Sequence, residues 1–464
     1  MKFFRFFTLS FLVFFASSCA KDLPFDSPEQ VSDDENSLLM KSGKEIKIAV
    51  VTDIHYLDPS LMQNNAASGA AFQAYLAQDP KLIEFSDPLF RTILSQLSRE
   101  RPDVLLIPGD LTKDGEKVSH QTVSSLLQQF AGHRTKVFIV PGNHDINNPY
   151  SAGYNGDDTY PVPTVTPQEF SLIYEQFGFK NALYRDHYSL SYICQPTKNL
   201  WVLGIDACKY NENYESPEVS GVIKPETMAW IEERMAEAKT KNIKVIALMH
   251  HNLMEHYTGQ SQLDPGFVVD NWQATMETLM DAGIKVIFTG HYHANDITKY
   301  MNGTNVIYDI QTGSPVNTPS PYRLINLEDN SIRTKTKYVT DIDVLFPGGM
   351  DFVTYSNVFF QQHFDAYFAY FLVMKYSLPD DAAAFVAPLF RKAVMAHYAG
   401  DETISVEESL LIQYVNDNIS PDLAMALMSL WTDLKPVDNE LRIKINEWDH
   451  DSKYETTRNL AEAE

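Results

Sequence analysis

The chain has 464 residues, enough for two or three domains, and its 44% hydrophobic content is ample for real cores, so it is a folded globular protein. A formal net charge of −24 excludes a surface built to grip long DNA or RNA by counterion release. A local positive site or bound cations can still hold a small anion.

Residues 1–19 read as a targeting segment outside the fold. Lys2 and Arg5 precede an apolar stretch from Phe6 to Phe15, and Ala16, Ser17 and Ser18 lead to Cys19, a run too short to span a membrane. Small residues directly before a lone Cys resemble the lipobox of bacterial lipoproteins. That resemblance implies that Cys19 is lipidated and joins the protein to a membrane. The expected location is that of an exported lipoprotein, on the outer membrane, its periplasmic face or the cell surface. Ala20-Lys21-Asp22 is similar to the acidic signals that send some of these proteins outward. Residues 20–43 are polar and acidic without an apolar period, and are expected to form a flexible tether.

Residues 44–340 alternate buried strands with helix-length segments, which predicts an α/β domain. Apolar runs at 46–51, 103–108, 136–141, 200–205, 244–249, 285–289 and 305–310 are short and uninterrupted, as strands covered on both faces are. Helices are predicted over 87–100, 224–240 and 271–283, the last closed by Gly283 as a C-cap. Long insertions occupy 56–86 and 146–186. Cys194 and Cys208 sit on consecutive strand-like runs whose register does not obviously pair them, and neither has a CxxC or nearby Cys/His partner.

Residues 341–464 read as a mainly helical C-terminal subdomain, with helices over 356–376, 380–400 and 405–418 and breakers at Pro379 and Pro421. Its aromatic stripes read as core, with His363 and His397 structural. Because residues 146–186 are also rich in Tyr, the tail is expected to cover or support that insertion.

The polar residues at the strand ends carry the chemistry. The first strand ends in Thr52-Asp53-Ile54-His55, the second in Pro108-Gly109-Asp110, the third in Pro141-Gly142-Asn143-His144-Asp145. Later strands end in Met249-His250-His251 and Thr289-Gly290-His291-Tyr292-His293. On an extended strand, residues i and i+2 point the same way, so Asp53 with His55, and His291 with His293, are each expected to clasp one ion. Carboxylate, amide oxygen and imidazole form a mixed set suited to Mn, Fe or Zn, and a shared carboxylate permits two cations.

The ordered series TDIH, PGDLT, PGNHD, MHH and GHYH resembles the calcineurin-like metallophosphoesterase superfamily over about residues 46–320. The resemblance implies an αββα sandwich and two divalent or mixed-valence metal ions. Asp53, His55 and His293 would hold one, Asn143, His250 and His291 the other, and Asp110 would bridge them. His250 is preferred to His251 because it directly follows the apolar strand. The relatives called purple acid phosphatases carry Tyr where this chain has Lys113, so no tyrosinate-to-iron colour is expected.

His144 matches the family's general acid for the leaving alkoxide. Asp145 reads either as its orienting carboxylate or as a turn residue. The implied reaction is hydrolysis of a small phosphate ester by metal-activated hydroxide, as a phosphodiesterase or phosphatase, with nucleotides among the candidates. The alternative enzyme is a nucleotide-sugar or lipid pyrophosphate hydrolase. A metal-containing binding lipoprotein is the alternative without catalysis, and it leaves the proton donor unexplained. His251, His256, Tyr150, Tyr154, Asn64 and His187 lie in segments that could rim the site, though packing roles suit each better.

Overall fold

The computed structural model describes residues 45–132 and 134–445, so Cys19 and the tether lie outside the described residues. The apolar runs form two sheets. In the first, the spatial order is Glu440–Lys444, Ser331–Tyr338, Pro321–Leu327, Ile46–Val50, Val104–Pro108 and Lys136–Val140. The last three run parallel, and Pro321–Leu327 joins them antiparallel. In the second sheet, Asn305–Gln311, Val286–Thr289, Lys244–Met249 and Leu200–Ile205 form the parallel centre. Ile297–Asn302 flanks it on one side, and Tyr192–Thr197 with Tyr184–Arg185 on the other.

The sheets pack face to face. Leu106, Ile139 and Val140 of the first share one apolar core with Val202, Leu248 and Phe288 of the second. Tyr192 ties them with a 2.7 Å hydrogen bond from its hydroxyl to the Ile139 carbonyl. Helices Ser86–Glu100 and Lys117–Ala131 add Leu89, Phe90 and Val123 to that core. Outside the second sheet, Pro225–Thr240 and Trp272–Ala282 bring Ile231, Met235, Met276 and Leu279 against Trp201, Ala247 and Ile287. Both faces of each central strand are thereby covered, which is why they read as unbroken apolar runs. The architecture is an αββα sandwich. Gly283 caps the second of those outer helices in the left-handed region, at φ 106°.

The two insertions meet each other. Met62–Gln63 pairs with Ala152–Asn155, which continues into the hairpin strand Asp158–Pro161. Phe72 meets the Tyr154 ring edge-on at 5.1 Å.

The tail forms helices Phe352–Tyr376, Asp380–Ala399, Val406–Asn418 and Pro421–Leu430. Pro421 starts a helix rather than ending one, because the first helical position needs no N–H donor. The tail is mainly helical, as expected, and adds one strand, Glu440–Lys444, that returns to pair with Ser331–Tyr338. Contrary to the sequence expectation, its aromatic contacts run to the first insertion: Phe85 packs on Phe346 and Tyr355 at 5.4 and 5.5 Å, because that insertion presents the apolar surface the tail can bury. Among the described residues, no helix is long and apolar enough to cross a membrane. Cys194 and Cys208 are buried free thiols.

Candidate metal centre

The strand-end residues converge on the side of the sandwich beneath the tail. Asp53, His55, Asp110 and His293 bring one ligand atom each within 4.8 Å of one another, and Asp110, His250 and His291 do the same. Asp110 belongs to both groups. Its Oδ2 lies 3.6 Å from His55 Nε2 and 3.5 Å from His250 Nε2. Asn143 Oδ1 is 3.0 Å from His250 Nε2, and His55 Nε2 is 3.0 Å from His293 Nε2. All seven residues named from the sequence are buried, and the structure brings them together.

Their convergence does not come from strand pleating. The first strand ends at Val50 and the later one at Thr289, and the residues beyond adopt left-handed conformations. Asp53 has φ 50°, His55 44°, Asp110 48°, His291 72° and His293 63°. Such conformations cost non-glycine residues roughly 1–3 kcal/mol each and survive only where the surroundings over-determine them. The surroundings do so here: Asp53 N–H donates to the Gly109 carbonyl, His55 N–H to the Asp110 carbonyl, and His291 N–H to the Asp53 carboxylate. Two glycines permit the close approach. A Cβ on Gly142 would lie 2.1 Å from Asp110 Oδ1, and one on Gly290 2.2 Å from Asp53 Oδ2.

The hydrogen bonds behind the ring of ligands suit the site to cations. One nitrogen of each of three imidazoles faces an oxygen: His250 Nδ1 the Pro108 carbonyl at 2.9 Å, His291 Nε2 the Gly266 carbonyl at 3.1 Å, His293 Nδ1 the Asn317 Oδ1 at 2.8 Å. Those oxygens only accept, so each imidazole donates there and turns the lone pair of its other nitrogen inward. Burial, with Lys81 and neighbouring imidazoles nearby, holds His55 well below the usual range, and burial with His250 does the same for His291. Both are therefore neutral, the form that ligates. Buried lone pairs and carboxylates facing one another need a cation between them, so the donor set fits two metal ions.

His144 lines the cavity beside this cluster. Its Nδ1 donates to the Lys113 carbonyl at 2.7 Å and to Asp114 Oδ1 at 3.0 Å, which leaves Nε2 for a ligand. Burial works against its protonation, but the charge of Asp110 and the bond to Asp114 push its pKa up to about 9. The carboxylate that orients His144 is thus Asp114, not Asp145. Asp145 instead accepts from the N–H groups of Gly142, Leu111 and Thr112 and from the Thr112 hydroxyl, and so joins the second and third strand ends. Lys113 is buried, paired with Asp114 and set 4.2 Å over the Tyr75 ring.

A cavity of about 370 Å³ opens above the centre, and none of the six expected rim residues lines it. His251 donates to the Val219 carbonyl, His256 is buried between Asp296 and Asp309, and Asn64 bonds Asn155. Tyr154 packs on Phe72, while Tyr150 and His187 are exposed. Three functional candidates escaped the sequence reading: Asp114, Asn317 behind His293, and Lys81, which lines the cavity while paired with Asp79 at 2.9 Å. No local pattern marks any of them: Asp114 and Asn317 are defined by imidazoles brought from distant strand ends, and Lys81 by the cavity it lines.

An αββα sandwich whose strand ends converge on one shared carboxylate defines a candidate two-metal site. The calcineurin-like phosphoesterase family model matches residues 46–295, more than half of the chain, and the chain belongs to that family. Among curated proteins it is 38% identical over 65 residues to a probable cyclic nucleotide phosphodiesterase of Vesicomyosocius okutanii, covering 14% of this chain and 27% of that one. It is 23% identical over 214 residues to the glycerophosphodiester phosphodiesterase GpdQ of Enterobacter lignolyticus, covering 46% and 64%. The chain thus spans less than two thirds of the length of either relative. Similar solved structures include a dimetal phosphatase from Danio rerio, with 14% identity, a TM-score of 0.44, and coverage of 63% of this chain and 96% of that one. The purple acid phosphatase PPD1 of yellow lupin shows 11% identity, a TM-score of 0.41, and coverage of 67% and 53%.

Proposed function

We propose that the protein hydrolyses a small phosphate ester, with diesters favoured over monoesters, using two metal ions held by Asp53, His55, Asp110, Asn143, His250, His291 and His293. The carrying observation is that two ligand groups share Asp110 while His144 borders the same cavity. The names of the two curated relatives, both phosphodiesterases, support the diester preference. When bound, the metal pair supplies Lewis acidity toward the phosphoryl oxygens and an activated water. The chain's own residues do the rest. His144 holds a proton on Nε2 and delivers it to the departing alkoxide, a poor leaving group until protonated. Asp114 and the Lys113 carbonyl fix the imidazole's orientation by holding Nδ1–H. Asp145 keeps the loop bearing Asp110 against the loop bearing His144.

The test uses protein lacking residues 1–19, stripped of metal and reloaded with Mn, Zn or Fe. Hydrolysis of bis(4-nitrophenyl) phosphate is compared with that of 4-nitrophenyl phosphate. Faster diester turnover is expected. His144→Ala should lower kcat by about 10²–10⁴-fold with the metal content retained, whereas Asn143→Ala should lower both. Absence of turnover with every metal refutes the proposal. The same proposal places the protein outside the cytoplasm, anchored through Cys19. Metabolic labelling with a fatty acid, lost in Cys19→Ser, is the expected result, and an unlabelled wild-type chain would remove the anchor.

A further inference from the structure

The roof of the cavity comes from outside the family region. Phe364, Tyr367, Phe368 and Phe371 of helix Phe352–Tyr376 line it, together with Phe390 and Val394 of helix Asp380–Ala399. The floor is the polar cluster containing Asp110, Asn143 and His144. The one lysine on the wall, Lys81, lines this same space. The cavity therefore has two chemically distinct halves: cation sites and the Lys81–Asp79 pair below, and above a mainly aromatic surface whose hydrogen-bonding groups are the Tyr367 and Tyr398 hydroxyls. A phosphoryl group fills only the lower half. At about 370 Å³ the whole space is the size of a pocket for a small organic molecule.

Phe364 and Phe390 are buried and fixed, with Phe390 stacked on Phe368 at 5.7 Å. Phe368 and Phe371 are half-buried, so apolar surface stays open to whatever sits over the metals. Keeping aromatic rings uncovered beside a polar centre is unfavourable unless a ligand covers them. A charged sugar phosphate would lose hydration against these rings, with only the two tyrosine hydroxyls on the roof to replace it.

We propose that the tail helices form a substrate subsite that takes an apolar aryl or alkyl group esterified to the phosphate. This specificity rests on the phosphoesterase reading above, but it is measured separately. Methyl-, phenyl- and hexylphosphonate are inert phosphate-ester mimics that differ only in the organic group. Their affinities for the Mn-loaded full chain are measured by titration calorimetry. Phenyl- or hexylphosphonate should bind at least about tenfold more tightly than methylphosphonate, since the larger apolar group leaves water when the roof covers it. The better of the two identifies the group as aryl or alkyl.

The double variant Phe368→Ala/Phe371→Ala should reduce that ratio to about threefold or less. Tyr370→Ala, on the same helix but exposed and away from the cavity, should leave it unchanged. Equal affinity for the three probes, no binding of any of them, or a ratio unchanged in the double variant overturns the subsite. Selective binding without hydrolysis of any ester refutes the phosphoesterase reading alone. Hydrolysis without selective binding refutes the subsite alone.

Discussion

His120 should make the protein lose stability in mild acid by an amount the structure sets. It is fully buried, donating from Nε2 to the Asp145 carbonyl at 2.8 Å and facing the Tyr174 hydroxyl through Nδ1 at 2.9 Å. Burial lowers its pKa from 6.5 to about 4, only partly opposed by the bond to Asp145. Above pH 6.5 the imidazole is neutral whether the chain is folded or not, and its contribution is fully present. Between 6.5 and 4 the unfolded chain binds a proton that the native chain refuses, so stability falls with pH. The loss is about 1.4 kcal/mol by pH 5.5 and about 3 kcal/mol by pH 4. Other groups also titrate, among them the buried His251, so the informative quantity is a difference between two chains. His120→Gln keeps polar atoms at the site but does not titrate. Urea unfolding at pH 7.5 and 5.5 should show the wild-type chain losing about 1.4 kcal/mol more than the variant. Parallel losses in the two chains would mean that His120 is protonated in the folded state.

Asn317→Ala removes the acceptor that orients His293, and should weaken metal binding by about 10–100-fold in a titration of the stripped protein. An unchanged affinity would show that His293 is held by its packing alone. Gly142→Ala places a methyl group on Asp110, and should lower metal content and turnover together; retention of both would show that the loop yields. Phe360, on the roof helix itself, is fully buried, and Phe360→Ala should cost about 3–5 kcal/mol, read as a lowered thermal midpoint.

The central strands were legible because burial on both faces leaves an unbroken apolar run, as in Val104–Pro108 and Leu200–Ile205. The ligand residues were legible because their order along the chain follows the order of the strand ends. Their geometry was not. Left-handed φ values at Asp53, His55 and His291 have no local signature in non-glycine residues, since they are imposed by hydrogen bonds to other loops. Adjacency in sequence also misled: Asp145 is next to His144 in the chain, but its carboxylate turns to the loop at 111–112, and the carboxylate in contact is Asp114, 30 positions away. The strand Ser331–Tyr338 escaped notice because its buried positions include Thr334 and Thr336 instead of an apolar series.

The strand Glu440–Lys444 changes what the tail is. With Pro321–Leu327 and Ser331–Tyr338 leading into the helices and Glu440–Lys444 leading back, both ends of the roof enter the same sheet. Asp438 reinforces the return: its carboxylate accepts from the Ile297 and Asp401 N–H groups, and its carbonyl accepts from the buried Arg323. The roof is therefore an excursion anchored at two points, not an appendage swinging from one hinge. Cutting the chain after residue 340 would do more than uncover the metals, because it would bare the backbone of Ser331–Tyr338 as a new sheet edge, the kind of surface through which β-proteins stick to one another.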